Sequence, residues 1–322
     1  MKEIGGYFSF DFVQQKASYP HSDGIHLNTG RNALEYILLS LNVRKLWIPY
    51  FTCDVVLEPI RRLNIEVLCY HINEYFEIAD EICSDESSYI LVNNYFGIKD
   101  AYIEFLIGKY GSHLIIDNSQ AFYTFHHQGT NTFYSPRKFV GLPDGGIAYT
   151  ANQGFYMSLS QDISYDRCSH LLKRIDVGAE SAYEDFKINS RKLIGQDLKE
   201  MSKVTRLLLN SIDFENVKNI RLTNFCYLHQ FLGETNLLTI PSLEAAACPM
   251  VYPYLTKNKL LKKKMIEKKV FTATYWPNVL ATCEEQTLEY FFADNIVAIP
   301  IDQRYDECDM RYIVGLINEY NG

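Results

Sequence analysis

The chain has 322 residues, 47% of them apolar, and a formal charge of −8, which suits one large or two ordinary domains with a substantial core. The negative charge disfavours general contact with a phosphate backbone, so nucleic acid is not an expected partner, while a local cationic pocket for a small anion stays open. The longest apolar runs, "YILLSL" and "YILVNNYFGI", fall far short of the roughly 20 residues of a membrane-spanning helix, and the amino terminus lacks an apolar segment ending in a small-residue cleavage site, so a cytoplasmic protein with no membrane partner is expected.

"RNALEYILLSLN" has helical apolar spacing, and "KLWIPY" and "IEVLCY" read as short strands around the helical "CDVVLEPIRRL". "SSYILVNNYF" and "HLIID" are strands on either side of the helix "AYIEFLIGKYG", and "NTFYS" and "GGIAYT" are two more. Short strands alternating with helices predict an α/β domain on a mostly parallel sheet. Beyond residue 165, "SAYEDFKINSRKLIGQDLKEMSKVTRLLLNSI" reads as a long amphipathic helical stretch. From "NLLTIPS" onward, short strands and the helices "KNKLLKKKMIEKK" and "DMRYIVGLINEY" predict a smaller α+β domain, with boundaries at 1–210 and 211–322. The basic run "KLLKKKMIEKK" carries Leu260, Leu261, Met265 and Ile266 at helical spacing, so it reads as a solvated helix face over an apolar stripe rather than a nucleic-acid patch. Cysteines 53, 69, 83, 168, 226, 248, 283 and 308 form no CxxC pair or Cys/His cluster, which argues against a metal site or a disulfide framework and for reduced, mostly buried thiols.

Ligands of open α/β sheets collect at the carboxyl ends of strands and at helix amino termini. Three stretches qualify. In "NTGRNALEY", Thr29 and Gly30 precede a helix, where free N–H groups and the dipole suit a phosphate; the plainer alternative is a simple cap and turn. In "LIIDNSQAF", Asp117 ends a strand and Gln120 follows three residues later; the carboxylate could hold a cationic ring nitrogen or cap the next element. In "FYSPRKFVGLPDGGIAYT", Ser135 precedes Lys138 by three residues and Gly145-Gly146 turn into a strand. A lysine amid apolar neighbours can lose part of its proton affinity by desolvation and become a nucleophile toward an aldehyde; the alternative is an ordinary surface lysine.

Taken in order, a phosphate cup, an acid on a strand and a Ser-x-x-Lys with a following Gly-Gly are the set needed to hold pyridoxal 5′-phosphate. The sequence resembles the DegT/DnrJ/StrS-type sugar aminotransferases, which are fold type I pyridoxal-phosphate enzymes. The likeness runs through "GRNALEYIL", "WIPYFTCDVV", "VNNYFG", "IIDNSQAF", "SPRKFVGLPDGG", "VFTATYWP" and "IVAIPIDQRYDECDM". It implies an α/β large domain with a smaller carboxy-terminal domain, and a homodimer with active sites at the interface. It places Lys138 on the Schiff-base lysine, Asp117 on the acid that keeps the pyridine nitrogen protonated, and Gln120 on the amide near the ring and its phenolic oxygen. Gly30, Arg31 and Asn32 fall on the phosphate cup, and Ser135 where a phosphate-binding hydroxyl is expected.

Two departures are readable. Cys53 stands where many relatives place an aromatic ring against the cofactor, leaving that contact to Tyr95 or Phe96. The family's Asn-x-Arg before Met-Ser, which reaches the neighbouring subunit's site, is "DLKEMS" here. The resemblance implies transfer of an amino group from an amino acid such as glutamate to a keto-sugar, nucleotide-linked in the family's manner, with Lys138 moving protons in both half-reactions. The alternatives are a pyridoxal-phosphate-dependent sugar dehydratase, in whose relatives histidine replaces the lysine, and a binding or regulatory protein that has lost turnover.

Overall fold

The short apolar runs of the first half pair edge to edge. The computed structural model describes residues 9–15, 18–82, 87–243 and 247–321. Seven strands form one sheet: β1 (Ile25–Leu27), β2 (Lys45–Pro49), β3 (Glu66–Tyr70), β4 (Ser88–Asn93), β5 (Leu114–Asp117), β6 (Asn131–Tyr134) and β7 (Gly146–Tyr149), in the order β1-β7-β6-β5-β4-β2-β3. Strands β2 to β6 run parallel, and β7 is antiparallel to both of its neighbours, β6 and β1. Parallel neighbours require crossovers: α2 (Leu57–Arg62) lies between β2 and β3 and α3 (Asp100–Tyr110) between β4 and β5, while α1 (Gly30–Ser40) carries the chain from β1 to β2.

Alternation along each strand sends successive side chains to opposite faces, and both faces are covered. Leu91 and Ile115 join α1 residues Leu34 and Ile37 in one buried cluster, while Ile90, Val92, Leu114 and Ile116 enter the other. Double burial is why these strands read as near-continuous apolar runs. The register also aligns their carboxyl ends: Asn93 lies opposite Asp117, and Asp117 opposite Phe133.

The stretch expected to be one long helical region is broken. Helix α4 (Ser169–Lys192) is interrupted at Gly178, whose φ of 85° leaves the helical region, and α5 spans Lys203–Ser211. Between them "LIGQDLKEMS" is not helical, because its groups are spent on the amino-terminal edge of the sheet. Glu200 bridges to Leu27, the Met201 N–H donates to the His26 carbonyl, and the Asn28 N–H donates to the Lys199 carbonyl.

Helix α6 (Phe214–Leu232) then leads to a two-stranded antiparallel sheet, β8 (Val251–Leu255) with β9 (Ile296–Pro300). Around it lie α7 (Leu261–Glu267), α8 (Pro277–Thr282), α9 (Leu288–Asn295) and α10 (Glu307–Asn321). The basic run contains α7, but only Leu261 and Met265 face the core; Leu260 and Ile266 are exposed. The thiols also depart from expectation. Cys248 is buried, Cys226 and Cys308 are exposed, four others are half-buried, and Cys83 lies outside the described residues. Among the described residues no helix is long and apolar enough to cross a membrane.

Candidate active site

Helix α1 starts where Thr29 turns extended and its hydroxyl oxygen accepts from the Asn32 N–H at 3.0 Å, a standard side-chain cap. The helix start is pressed against β7. A Cβ on Gly146 would lie 2.2 Å from the Thr29 carbonyl oxygen and 2.8 Å from the Gly30 nitrogen, and Gly145 holds a φ of +111°. The glycine pair is therefore required where strand and helix start touch. A Cβ on Gly30 would meet Ser135 Oγ at 3.5 Å, so the helix amino terminus and the Ser135 hydroxyl are immediate neighbours.

These pieces line one cavity of about 220 Å³, together with Arg31, Cys53, Asn93, Asp117, Gln120, Arg137, Lys138 and Trp276. It lies at the carboxyl ends of β4, β5 and β6, where the sheet register had brought Asn93 and Asp117 side by side. Asp117 does not cap a helix; one carboxylate oxygen accepts from the Ser119 N–H at 2.7 Å, which fixes the side chain at the strand end. The Gln120 carbonyl oxygen accepts from the Phe96 N–H at 2.8 Å, pinning a turn in which Phe96 adopts a φ of 56°. Its amide nitrogen is buried without a partner, as is the side-chain oxygen of Asn93, whose nitrogen donates to the Thr52 hydroxyl at 3.0 Å.

Lys138 ends a short 3-10 turn, Pro136–Lys138, that follows β6. Desolvation was expected to act on this lysine, but its side chain is exposed, and the residue more withdrawn from solvent is Arg137 beside it. Burial and the neighbouring Arg31 push the Arg137 guanidinium down to about 10. Lys138 still acts on the cavity wall: burial pushes the Cys53 thiol up, and the Lys138 charge opposes that rise. The loop after Lys138 is held from the second half of the chain. Buried Arg221 of α6 donates to the Phe139 carbonyl at 2.9 Å and the Met250 carbonyl at 3.0 Å, and Gln303 donates to the same Phe139 carbonyl at 3.1 Å.

Of the residues named from sequence, Lys138, Asp117, Gln120, Gly30, Arg31, Ser135 and Cys53 line the cavity. Asn32 and Tyr95 lie outside that lining. The Asn32 side chain turns away to the Gln196 carbonyl at 3.2 Å, and the Tyr95 hydroxyl is spent on the Phe51 carbonyl at 2.8 Å within the aromatic core. Phe96, the other ring weighed for the cofactor contact, is also fully buried outside the lining. The aromatic residues that line the cavity are Phe133 and Trp276; Trp276 precedes α8 and packs edge-on to Phe51, with ring centroids 5.1 Å apart. Sequence reasoning missed Trp276, Asn93 and the anchoring Arg221. Asn93 and Trp276 lie within "VNNYFG" and "VFTATYWP", stretches of the family likeness that gave neither residue a role, and Arg221 lies in none of them.

No family model and no curated protein matches the sequence. Solved structures do match in three dimensions. S. venezuelae DesV, in complex with a ketimine intermediate, superposes with a TM-score of 0.65 at 13% identity, over 92% of this chain and 84% of that one. Sugar aminotransferase CalS13 from Micromonospora echinospora gives 0.61 at 14%, over 92% and 84%. A DegT DnrJ EryC1 StrS aminotransferase from Brucella abortus gives 0.59 at 15%, over 92% and 86%. At these identities the likeness speaks for architecture: the chain has the fold of these sugar aminotransferases, the fold type I arrangement expected from its motifs.

Proposed function

We propose that this chain is a pyridoxal-phosphate-dependent aminotransferase that moves an amino group from an amino acid, glutamate being the first candidate, to a keto-sugar carried on a nucleotide. The observation that carries the proposal is the convergence of Lys138, Asp117 and Gln120 on one cavity that also includes the amino terminus of α1. The residues present fit the cofactor. The unpartnered amide nitrogen of Gln120 offers a donor to a ring oxygen, Asp117 supplies an anion for a protonated ring nitrogen, and the Gly30–Ser135 contact leaves a small, hydroxyl-bearing cradle.

The bound cofactor would supply an aldehyde and an electron-withdrawing ring. The protein supplies the rest. The amine of Lys138 is free of hydrogen bonds and ion pairs among the described residues, which leaves it available to bond and then to carry a proton to and from the substrate carbon. The Ser119 N–H fixes the Asp117 carboxylate at the strand end, where it would face the ring nitrogen. Trp276 and Cys53 are among the residues that line the cavity and would exclude water from it.

A second copy of the chain is part of this proposal, with a homodimer working in the cytoplasm. Its support is the exposed apolar content of α4 and its flanks, where Leu172, Ile175, Val177, Tyr183, Phe186 and Ile194 are all open to solvent in the single chain.

Titration of the protein loaded with pyridoxal phosphate tests the activity. Glutamate alone should remove the visible absorption and release a stoichiometric amount of 2-oxoglutarate, and a keto-sugar nucleotide should then restore the spectrum and leave as an amino sugar. No response to several amino donors would reject the transaminase, and loss of water from the sugar without a retained amine would replace it with a dehydratase.

A further inference from the structure

The cavity carries more positive charge than its acids balance. Its wall holds Arg31, Arg137 and Lys138 against the single carboxylate of Asp117. Arg31 is neutralised within the chain, 3.2 Å from Glu58, and donates to the Leu193 carbonyl at 3.0 Å. Arg137 is not. Among the described residues it has no hydrogen bond or ion pair. Asp144, the acid whose charge reaches it, is committed to Arg167 at 3.3 Å and to the Thr205 hydroxyl. A half-buried guanidinium beside a second guanidinium is repelled by it unless an anion joins them.

Its surroundings specify what kind of anion fits. Arg137 follows Ser135 by two residues, a Cβ added to Gly30 would meet the Ser135 side chain, and Arg31 is close enough to depress the Arg137 guanidinium. Thr29 and Gly30 bring the positive end of the eleven-residue helix α1 to the same wall. A hydroxyl, a helix amino terminus and a planar five-donor cation together suit a phosphate dianion better than a carboxylate.

We propose that Arg137 is the counter-ion of the cofactor's phosphate, so that the phosphate subsite is completed by this chain's own residues. This rests on the function proposed above and adds to it. The segment "DLKEMS", which lacks the Asn-x-Arg through which related chains reach a neighbour's site, is here tied by hydrogen bonds to Asn28 and His26 of its own chain. Arg137 supplies a cation from within the chain.

Equilibrium binding to the full-length protein tests it, with pyridoxal phosphate, phosphate-free pyridoxal and inorganic phosphate as the three probes. Arg137→Gln should weaken pyridoxal phosphate by about tenfold or more, the worth of one charge-assisted hydrogen bond, while changing pyridoxal affinity by less than about twofold. Arg137→Lys should recover part of the loss, and inorganic phosphate should raise the melting temperature of the natural chain but not of Arg137→Gln. Unchanged pyridoxal phosphate affinity, or equal losses for both aldehydes, would overturn the proposal. The inorganic phosphate arm separates the two claims: protection that needs Arg137, without any aldehyde binding, would keep the anion site and reject the cofactor reading. If Arg137→Gln does not fold, Arg137→Met takes its place, with the same selective loss of pyridoxal phosphate expected and the same results overturning the proposal.

Discussion

At the scale of single residues, position and chemistry separate cleanly at Asp117. Its carboxylate accepts one backbone N–H from Ser119, a bond that an asparagine oxygen can also accept. Asp117→Asn should therefore leave the melting temperature nearly unchanged, a stability effect within about 1 kcal/mol. It removes the negative charge that would face a ring cation, so the transamination rate should fall about a hundredfold or more. Parallel losses of activity and stability would make Asp117 a structural turn residue. The residues legible from sequence were those whose chemistry is local. Lys138, Asp117, Gln120 and Ser135 sit on short motifs at strand ends; each motif alone left a plainer alternative open, and their order together with the family resemblance picked them out. Trp276 and Arg221 reach the site from segments more than eighty residues along the chain from Lys138, and no local pattern reports such a contact. Arg137 stands next to Lys138 in the same apolar stretch, and it is half-buried where Lys138 is exposed.

At the scale of elements, the first half was legible because β4 to β6 are covered on both faces and so read as apolar runs. The three residues of β1, "IHL", carry too little pattern to be read, and only their pairing with β7 makes them a strand. Helix α6 was missed for a different reason: it buries Arg221 and Asn224 among its apolar residues, breaking the stripe that marks an amphipathic helix. Close packing of β7 on the start of α1 makes a sharp prediction. Gly146→Ala would force a methyl group against the Thr29 carbonyl and should cost about 3 kcal/mol or prevent folding. Gly315→Ala is the contrast. It lies inside α10 with nothing within 4 Å of the added carbon, so it should stabilise by about 0.5–1 kcal/mol. Urea unfolding midpoints of the two variants check both statements, and equal effects would show that the helix start is not held by this contact.

At the scale of the whole molecule, two buried histidines tie stability to pH. Burial holds His21 at about 4, and burial with the nearby Arg206 holds His26 at about 4, against an ordinary value of 6.5. His21 bonds the Phe122 carbonyl at 2.7 Å and His26 the Tyr19 hydroxyl at 2.8 Å. Between pH 6.5 and 4 the unfolded chain binds protons that the folded chain refuses, so their contribution is complete above 6.5 and is lost as pH falls toward 4. Urea midpoints should drop from pH 7 to pH 5, and the drop should shrink in a His21→Gln/His26→Gln variant. Identical slopes in the two proteins would remove the histidines from the account. The exposed apolar face of α4 makes a second global prediction. Sedimentation should show a dimer, and Ile175→Asp with Val177→Asp, at residues 82% and 55% exposed in the single chain, should shift it to monomer. A natural chain that is monomeric and fully active at micromolar concentration would contradict the homodimer.

The account stands most directly on Lys138. Borohydride reduction of the protein loaded with pyridoxal phosphate, followed by peptide mapping, should place the pyridoxyl group on the peptide containing Lys138, and Lys138→Ala should lose both the label and the visible absorption while unfolding at the same urea concentration. A label on any other lysine, or absorption that survives Lys138→Ala, would contradict the assignment of this cavity as the active site.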